Sequence, residues 1–313
     1  MTPQNASGLE RFSLTGRVVL VTGATRGLGL EIARGMAAAG AAVGINGRDA
    51  QRADEIAKSI PNAFAAPFDI TDPSGATDAI DSIVARHGRL DCLVNNAAVR
   101  DRRPLHDITA DDFRRLIETN LVAQYELSRT AARHMAKRGQ GRLVFISSMV
   151  GPQSFQGDPA YVASKGGLEA LMRALAVELG DKGIAANAIA PGLFLTERNA
   201  PFFAEPRIAE LARRIPLQRF GRPDELVGAA IFLASDAASE ARKMTAPTSS
   251  SGRPKRRSGM RRASSALRDS AKNAALRSVR KNPGAIALAA IPLSPSSIAS
   301  ARISASSPAF DAA

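Results

Sequence analysis

Tyr161 and Lys165 have the residue types and the spacing that proton transfer needs. They begin and end the segment YVASK, residues 161–165, in a stretch with a helical pattern. Residues four apart lie on one face of a helix, so the phenol and the ammonium would be neighbours. A nearby ammonium favours the phenolate, so Lys165 would lower the tyrosine pKa from about 10 and make Tyr161 a general acid and base. The spacing alone also fits an ordinary pair on a helix surface.

A hydroxyl that could contact a substrate comes shortly before this pair. Ser148 follows a short apolar run and lies thirteen residues ahead of Tyr161. A hydroxyl there can donate a hydrogen bond to a carbonyl oxygen and stabilise the negative charge that develops on it. The alternative is a structural role, in which the hydroxyl stabilises a turn or a helix start.

Residues 22–29, TGATRGLG, form a glycine-rich turn between a predicted first strand and a predicted first helix. Such glycines permit a tight turn and let the backbone approach a pyrophosphate. The helix N-terminus then offers unpaired N–H groups and partial positive charge to the phosphates. We therefore predict a dinucleotide site, with a purely structural turn as the alternative. The cofactor contacts predicted in this turn are Gly23, Thr25, Arg26, Gly27, Leu28 and Gly29.

The end of the second predicted strand bears on the choice of dinucleotide. An acidic residue there accepts a hydrogen bond from the ribose 2′-hydroxyl of NAD, but this chain has Asn46, Gly47 and Arg48. Arg48 and Arg26 could bind a 2′-phosphate, since a guanidinium pairs with phosphate through two parallel hydrogen bonds. The sequence therefore favours NADP(H) over NAD(H). In the alternative, both arginines are solvated and Asp49 binds the ribose.

Short β-branched runs alternate with longer helical patterns over residues 14–235. The apolar runs lack polar alternation, which is typical of strands buried on both faces of a parallel sheet. Helix-length segments such as Gly27–Ala39 and Asp111–Lys137 separate them. The pattern predicts a doubly wound α/β domain with ligands beyond the carboxyl ends of its strands. The predicted strands are Val18–Thr22, Ala42–Asn46, Ala63–Asp69, Asp91–Asn95, Gly141–Ser147 and Ile184–Ala190.

Several motifs occur together in an order and spacing that resemble the short-chain dehydrogenase/reductase family. The resemblance covers about residues 12–236. It implies a single Rossmann-type domain that binds NAD(P)(H) and transfers a hydride between the nicotinamide and a ketone or secondary alcohol. It also implies a homotetramer. The motifs are TGATRGLG at 22–29, NNAA at 95–98, ETNL around Asn120, Ser148, YVASK at 161–165 and NAIAPG at 187–192.

The resemblance also implies a role for each matching residue. Tyr161 would donate or accept the proton, and Ser148 would orient the carbonyl oxygen. Lys165 would lower the tyrosine pKa and bind the nicotinamide ribose, while Asn120 would hold a water that links Lys165 to solvent. Asp69 is assigned to the adenine and Asn95 to the adenosine ribose. With these two included, the further cofactor contacts that the resemblance implies are, in chain order, Asp69, Ile70, Asn95, Ala97, Pro191, Gly192 and Thr196.

Two further segments, INGRD at 45–49 and LTERN at 195–199, resemble members of the gluconate 5-dehydrogenase type, which reduce sugar-acid ketones. The general pattern is shared equally with 3-oxoacyl carrier-protein reductases, so that activity is the alternative. Segment Phe194–Ile215 would cover the substrate, and its arginines could attract an anion or belong to a solvated helix face. These arginines are Arg198, Arg207, Arg213 and Arg214.

The composition limits what else the protein could do. The chain has 313 residues, 45% of them hydrophobic, and its single cysteine excludes an internal disulfide and a cysteine-based metal cluster. Its apolar runs are far shorter than the ~20 residues that span a bilayer, so we expect a cytoplasmic protein without a metal or a membrane partner. Of the net charge of +13, most lies in residues 239–313, which hold 14 Lys and Arg against 3 Asp and Glu. This distribution, without a recognition motif, does not predict specific nucleic-acid binding.

The character of the chain changes abruptly near Ser239. We expect a flexible N-terminus at 1–11, the catalytic domain at 12–238, and at 239–313 a disordered basic tail rich in Ser, Ala, Arg and Pro. Family members continue at this point with a Thr-Gly turn and a seventh strand, but no β-branched run follows here. Our hypothesis is a frameshift, or a truncation with an extension, near Ser239 that removes the last strand and exposes a sheet edge, which puts tetramer assembly in doubt. A nucleotide-binding protein inactivated by an incomplete fold is therefore a further alternative.

Overall fold

Six parallel strands form one sheet in the part of the chain that the computed structural model describes, residues 8–152, 158–205, 210–213 and 215–238. The strand order is β3-β2-β1-β4-β5-β6. The predicted doubly wound sheet is confirmed, and the strand ends differ from the predicted ones by no more than two residues. The strands are β1 (Val18–Val21), β2 (Ala42–Gly47), β3 (Ala63–Pro67), β4 (Cys92–Asn95), β5 (Gly141–Ile146) and β6 (Ile184–Ile189).

Helices connect successive strands and cover both faces of the sheet. They are α1 (Gly27–Ala38), α2 (Ala50–Lys58), α3 (Pro73–His87), α4 (Ala110–Ile117), α5 (Ala123–Lys137), α6 (Pro159–Leu179), α7 (Ala200–Phe203) and α8 (Val227–Ala234). Short 3₁₀ turns lie at Glu10–Phe12, Leu105–Asp107, Pro223–Leu226 and Asp236–Ala238.

Each strand contributes side chains to two apolar cores, one on each face of the sheet. In β1, Val19 and Val21 pack with α1, α2 and α8, whereas Val18 and Leu20 pack with α3, α5 and α6. Every residue of β1 and of β5 is buried. Burial on both faces explains why these runs show no polar alternation in the sequence. The cores hold the strands in register and thereby fix where the loops at their carboxyl ends begin.

The predicted helix Asp111–Lys137 is interrupted by a π-helical turn that the sequence pattern did not predict. The segment starts with a reciprocal cap, in which Thr109 and Asp112 each accept a hydrogen bond from the other's backbone N–H. The π-helical turn, Glu118–Val122, separates α4 from α5 and carries Asn120, which is fully buried. Single π-helical turns are frequent at functional sites, because they change the direction of a side chain within a helix.

The strand order reverses between β1 and β4, which lie side by side at the centre of the sheet. The chain leaves β1 towards one face and β4 towards the other, so the loops after these strands diverge. The crevice that opens between such loops, outside the carboxyl ends of the strands, is where open α/β sheets bind ligands. The fold therefore predicts a ligand site between the loops that follow β1 and β4.

Several predictions fall on residues that the structure does not describe. Residues 1–7, the tail at 239–313 and the proposed loss of a seventh strand all lie outside the described residues. Within the described residues, β6 forms one edge of the sheet. No helix in this part of the chain has the length and apolar character needed to cross a bilayer.

Candidate active site

The glycine turn after β1 forms a cradle of exposed backbone. Gly23 has a φ of +62° and Gly27 a φ of +58°, in the region that residues with side chains rarely adopt. A Cβ atom at Gly29 would lie 2.5 Å from the Gly23 carbonyl oxygen, so no side chain fits there. Arg26, at the N-cap of α1, makes no side-chain cap, which leaves the first N–H groups of the helix for a phosphate.

The loop after β4 is tied to this cradle by hydrogen bonds. The Asn96 side-chain amide donates to the carbonyl oxygens of Thr22 and Gly23, at 2.8 and 3.2 Å. The Thr22 hydroxyl accepts hydrogen bonds from the backbone N–H groups of Asn96 and Ala97, both at 3.0 Å. The two loops therefore form one connected wall, and Ala97 borders the cavity above it, as predicted for a cofactor contact.

The structure does not bring Asn95 to the cavity, where it was predicted to contact the cofactor. Its side chain is fully buried, and its amide donates to the Ser128 hydroxyl on α5 at 3.0 Å. Successive side chains at a strand end point to opposite faces, so only one of two adjacent asparagines can face the ligand. Asn96, and not Asn95, lines the cavity.

Basic side chains border the cavity beyond the end of β2. Arg26, Arg48 and Arg52 all line it. Asp49, the acidic alternative for binding a ribose, also lines the cavity, and it caps α2: its Oδ1 accepts a hydrogen bond from the Arg52 backbone N–H at 3.0 Å. Asn46 is buried and donates two hydrogen bonds to backbone carbonyls of β3 and the loop after it. The charge available to a ligand at this strand end is therefore mainly positive.

Asp69 and Ile70 lie in the loop after β3 and line the same cavity. Asp69 Oδ1 accepts hydrogen bonds from the Thr71 backbone N–H at 2.9 Å and from the Thr71 hydroxyl at 2.8 Å. These bonds hold the loop in an Asx turn, which places both predicted contacts on the cavity side.

Tyr161 and Lys165 lie in the first turns of α6, and Ser148 lies just after β5. Lys165 is 1% exposed, and its Nζ donates a hydrogen bond to the Ile146 carbonyl at 2.7 Å. Nζ lies 5.7 Å from the centroid of the Tyr161 ring. The Ser148 side chain lines the cavity beside Tyr161, and it lowers the pKa of the phenol. The structure therefore brings together the three groups that the sequence predicted to act together.

Burial dominates the proton affinities at this end of the cavity. It lowers the pKa of Lys165 from 10.5 to about 8, an effect that the Glu169 carboxylate opposes. Burial also raises the pKa of the Tyr161 phenol above its ordinary value, and this increase is opposed first by the charge of Arg100 and then by the Ser148 hydrogen bond. The sequence predicted Lys165 as the cation that lowers the tyrosine pKa. In the structure Arg100 is the leading cation, because the Lys165 ammonium is directed at a backbone carbonyl.

Asn120 joins the loop after β4 to α6. Its Oδ1 accepts a hydrogen bond from the Val99 backbone N–H and its Nδ2 donates to the Val99 carbonyl, both at 2.8 Å. Nδ2 also donates to the Ser164 hydroxyl at 3.1 Å. Asn120 does not line the cavity. Its hydrogen bonds to Val99 and Ser164 link the loop after β4 to the helix that carries Tyr161. Its predicted link to solvent through a water stays a prediction.

Three charged residues at the substrate end were missed by the sequence reasoning. The Arg100 guanidinium lies over the Tyr161 ring, 4.9 Å from its centroid, and its Nε donates to the Asp158 carboxylate. Arg102 lies 4.2 Å from the ring centroid of Phe202 in α7. The arginine-rich run RDRRP at 100–104 was the available signal, but it matches no motif of the resemblance.

Segment Phe194–Ile215, which was predicted to cover the substrate, borders the cavity with some of its residues. Arg198 lines it, together with Phe202. Arg213 is exposed and pairs with Glu210 at 3.0 Å, which is the solvated alternative considered from the sequence. Arg207 and Arg214 lie outside the described residues.

A single cavity of about 1320 Å³ connects the glycine cradle with the Tyr161 end. Its uncapped helix N-terminus, its exposed glycine backbone and its basic rim fit a dinucleotide, and the Tyr161 end leaves room for a small substrate. No group of three or more His, Cys, Asp or Glu side chains in the described residues is arranged to hold a metal ion. The predicted site residues that line the cavity are Gly23, Thr25, Arg26, Gly27, Leu28, Gly29, Arg48, Asp69, Ile70, Ala97, Ser148, Tyr161, Lys165, Pro191, Gly192 and Thr196.

Comparison with known proteins gives consistent matches. The family model described as short chain dehydrogenase matches residues 17–207. The chain is 38% identical to gluconate 5-dehydrogenase of Gluconobacter oxydans over 74% of this chain and 92% of the relative. It is 35% identical to 3-oxoacyl-(acyl-carrier-protein) reductase of Salmonella typhimurium, over 73% and 93% respectively. The solved structure of a gluconate 5-dehydrogenase from Burkholderia cenocepacia, in complex with NADP and tartrate, matches with a TM-score of 0.72 and 39% identity, over 74% and 93%.

The family match covers more than half of the chain and includes the cradle, Ser148, Tyr161 and Lys165. The sheet order, the nucleotide-binding Rossmann-type fold and the residues at the cavity agree with that match. The chain therefore belongs to the short-chain dehydrogenase/reductase family, whose members are oxidoreductases that act on CH–OH groups.

Proposed function

We propose that the protein is an NADP(H)-dependent oxidoreductase that interconverts a ketone and a secondary alcohol on a sugar acid. The observation that carries the proposal is the single cavity that joins the glycine cradle and its basic rim to Ser148, Tyr161 and Lys165. A phosphate-binding region and a proton-transfer group in one cavity are the two parts that hydride transfer from a dinucleotide needs.

In the reductive direction, Tyr161 donates its phenolic proton to the substrate oxygen, and Ser148 donates a hydrogen bond to the same oxygen. Both interactions stabilise the negative charge that develops on this oxygen as the carbonyl is reduced. When bound, a nicotinamide dinucleotide supplies the hydride. In the oxidative direction the Tyr161 phenolate accepts the alcohol proton. The buried Lys165 ammonium, whose pKa burial lowers to about 8, would hold the nicotinamide ribose.

The preference for NADP(H) rests on the residues around the end of β2. Arg26 and Arg48 line the cavity there, and a guanidinium binds phosphate through paired, charge-assisted hydrogen bonds. Asp49 lies at the same rim and caps α2 through its Oδ1, so the rim carries Arg26, Arg48 and Arg52 against one carboxylate. A relative of known structure, the Burkholderia cenocepacia enzyme, was solved with NADP.

The charge near Tyr161 supports an anionic substrate. Burial lowers the pKa of Arg102, and the neighbouring cations Arg100 and Arg198 lower it further. Asp158 is the carboxylate that opposes them. A substrate carboxylate would relieve the repulsion among these guanidiniums, and Arg binds carboxylates in a two-pronged geometry. The tartrate in the Burkholderia cenocepacia enzyme is also a carboxylate, and the Gluconobacter oxydans relative is named for gluconate.

Two alternatives to this proposed function are distinguished by the binding and substrate test described below. The Salmonella typhimurium relative supports a 3-oxoacyl carrier-protein reductase as the second candidate. The other alternative, a nucleotide-binding protein without turnover, rests on the proposed frameshift near Ser239. A homotetramer and a cytoplasmic location are proposed with the family, and the tail at 239–313 stays a proposal from composition.

The test combines nucleotide binding with a substrate panel. We expect NADPH to bind at least about tenfold more tightly than NADH by fluorescence titration, because a charge-assisted phosphate contact contributes ~1.5–3 kcal/mol. With NADPH, 5-keto-D-gluconate should be reduced faster than an acetoacetyl thioester. The Arg102→Gln variant should raise KM for the keto acid and leave KM for an uncharged ketone unchanged. Faster thioester reduction would favour the carrier-protein alternative. Binding without turnover on either would favour the inactive protein.

A further inference from the structure

Tyr161 contacts a second cation that the Ser148, Tyr161 and Lys165 set does not include. The Arg100 guanidinium carbon lies 4.9 Å from the Tyr161 ring centroid, whereas the Lys165 ammonium nitrogen lies 5.7 Å from it. Arg100 belongs to the loop after β4, and Tyr161 belongs to α6. The contact therefore joins the loop after β4 to the helix that carries the reacting group.

Asp158, at the N-cap of α6, holds Arg100 in this place. Its side chain is 3% exposed, and it accepts a hydrogen bond from Arg100 Nε in a buried ion pair. Its other oxygen, Oδ1, is buried and has no hydrogen-bond partner among the described residues. Asp158 therefore depends on Arg100 for its pairing, because removal of one partner of a buried ion pair leaves an uncompensated buried charge. The pair joins residues that lie 58 positions apart in the chain.

The charged groups that face Tyr161 from the described residues come from two elements. Arg100 and Arg102 belong to the loop after β4, and Asp158 and Lys165 belong to the α6 region. Arg100 opposes the effect of burial on the phenol more strongly than the Ser148 hydrogen bond does, while Asp158 acts in the other direction and more weakly than Arg100. The net effect of the Arg100–Asp158 pair thus follows the sign of Arg100.

We propose that Arg100 is a positioning residue of the reaction, whose guanidinium, held by Asp158, stabilises the negative charge on the Tyr161 oxygen when the phenol loses its proton. The kinetic part of this inference rests on the proposed oxidoreductase function. The electrostatic part does not, because it concerns a property of the phenol in the protein alone. Removal of Arg100 should therefore shift the pH dependence of catalysis and also reduce the phenolate population at a given pH.

The kinetic experiment compares kcat/KM for alcohol oxidation across pH in four proteins. In Arg100→Gln the acidic limb should move upward by about one pH unit, because a half-buried cation beside the ring is removed and its effect on the phenolate is reduced by partial solvent exposure. Arg100→Lys keeps the charge and should restore most of this shift. Arg114→Gln removes an exposed arginine from α4 and should leave the limb in place. A fall in activity, or a rise in KM, with an unmoved limb in Arg100→Gln would overturn the inference.

Loss of Arg100 leaves the Asp158 carboxylate buried without its cation, so Arg100→Gln could be unstable. The double variant Arg100→Gln/Asp158→Asn removes both charges and avoids this problem. Because Arg100 has the larger effect on the phenol, the limb should still move upward in the double variant, by less than in the single variant. A limb that stays in place or moves downward in the double variant would contradict the proposed role.

A spectroscopic readout separates this inference from the proposed function. The chain contains two tyrosines and no tryptophan, so a Tyr125→Phe background leaves Tyr161 as the only phenol. At about pH 10, the ordinary pKa of tyrosine, Arg100→Gln in this background should lower the phenolate-to-phenol ratio about tenfold. Circular dichroism at the same pH checks that the fold is intact. Absence of turnover in every protein would defeat the proposed function alone, whereas an unchanged ratio would defeat the inference about Arg100.

Discussion

Replacement of Lys165 by methionine should make the protein more stable and catalytically inactive. Lys165 is fully buried, and burial lowers its pKa from 10.5 to about 8. Since each pH unit corresponds to ~1.4 kcal/mol, the buried ammonium destabilises the folded state by about 3 kcal/mol at neutral pH. Methionine has a similar length and no charge, so it removes this penalty. The lost hydrogen bond to the Ile146 carbonyl offsets ~1 kcal/mol, which leaves an expected net gain of about 2 kcal/mol.

The pH dependence of this gain has a defined sign. Below about pH 8 Lys165 is protonated in both the folded and the unfolded state, and the full penalty applies. Between about pH 8 and 10.5 the unfolded chain binds more protons than the folded one, so the stability of the unmodified protein rises with pH. The variant has no such titration. Its advantage should therefore shrink across this window and vanish or reverse near its upper end.

Urea denaturation of both proteins at several pH values measures these differences in the free energy of unfolding. Lys182→Met is the matched control, because that lysine is exposed and its loss should change stability by less than ~0.5 kcal/mol. The reasoning would be refuted if Lys165→Met were less stable at neutral pH. A stability difference that does not change with pH would equally contradict it.

Three further predictions concern the cradle, its rim and the core. Arg48→Gln should weaken NADPH binding about tenfold and leave NADH binding unchanged, measured by fluorescence titration, because it removes a predicted 2′-phosphate contact. Gly29→Ala should lower the free energy of unfolding by about 1–3 kcal/mol in urea denaturation, because the added Cβ would lie 2.5 Å from the Gly23 carbonyl oxygen. The control is Gly228→Ala, which should be neutral or slightly stabilising because nothing lies within 4 Å of the added Cβ. Cys92, whose pKa burial raises to about 12, should react with a thiol reagent only after unfolding, and rapid reaction of the native protein would count against the buried position.

The strands were predictable because parallel strands buried on both faces need continuous apolar runs, and the chain supplies six of them. Tyr161 and Lys165 were predictable for a local reason. Both lie on one helix, so their spacing in sequence is their spacing in space. The glycine cradle was likewise local, since a turn between one strand and one helix is encoded within eight residues, 22–29.

Features that depend on distant residues were not predictable in the same way. The Arg100–Asp158 pair joins residues 58 positions apart, and no periodicity relates them. The choice between Asn95 and Asn96 depended on the direction of a side chain at a strand end, which the motif does not specify. The π-helical turn at Glu118–Val122 appears in the sequence as ordinary helix. The pKa of Tyr161 depends on burial, which only the assembled fold defines.

The central claim is that Tyr161 donates the proton when the substrate carbonyl is reduced. The most direct measurement compares Tyr161→Phe with the unmodified protein in two respects, the turnover rate with the keto acid as substrate and the affinity for NADPH. The variant loses one hydroxyl and keeps the ring, so NADPH should bind within about twofold of the unmodified protein, while the turnover rate should fall at least about a hundredfold, the usual contribution of a general acid. A turnover rate that is unchanged in Tyr161→Phe would contradict the account.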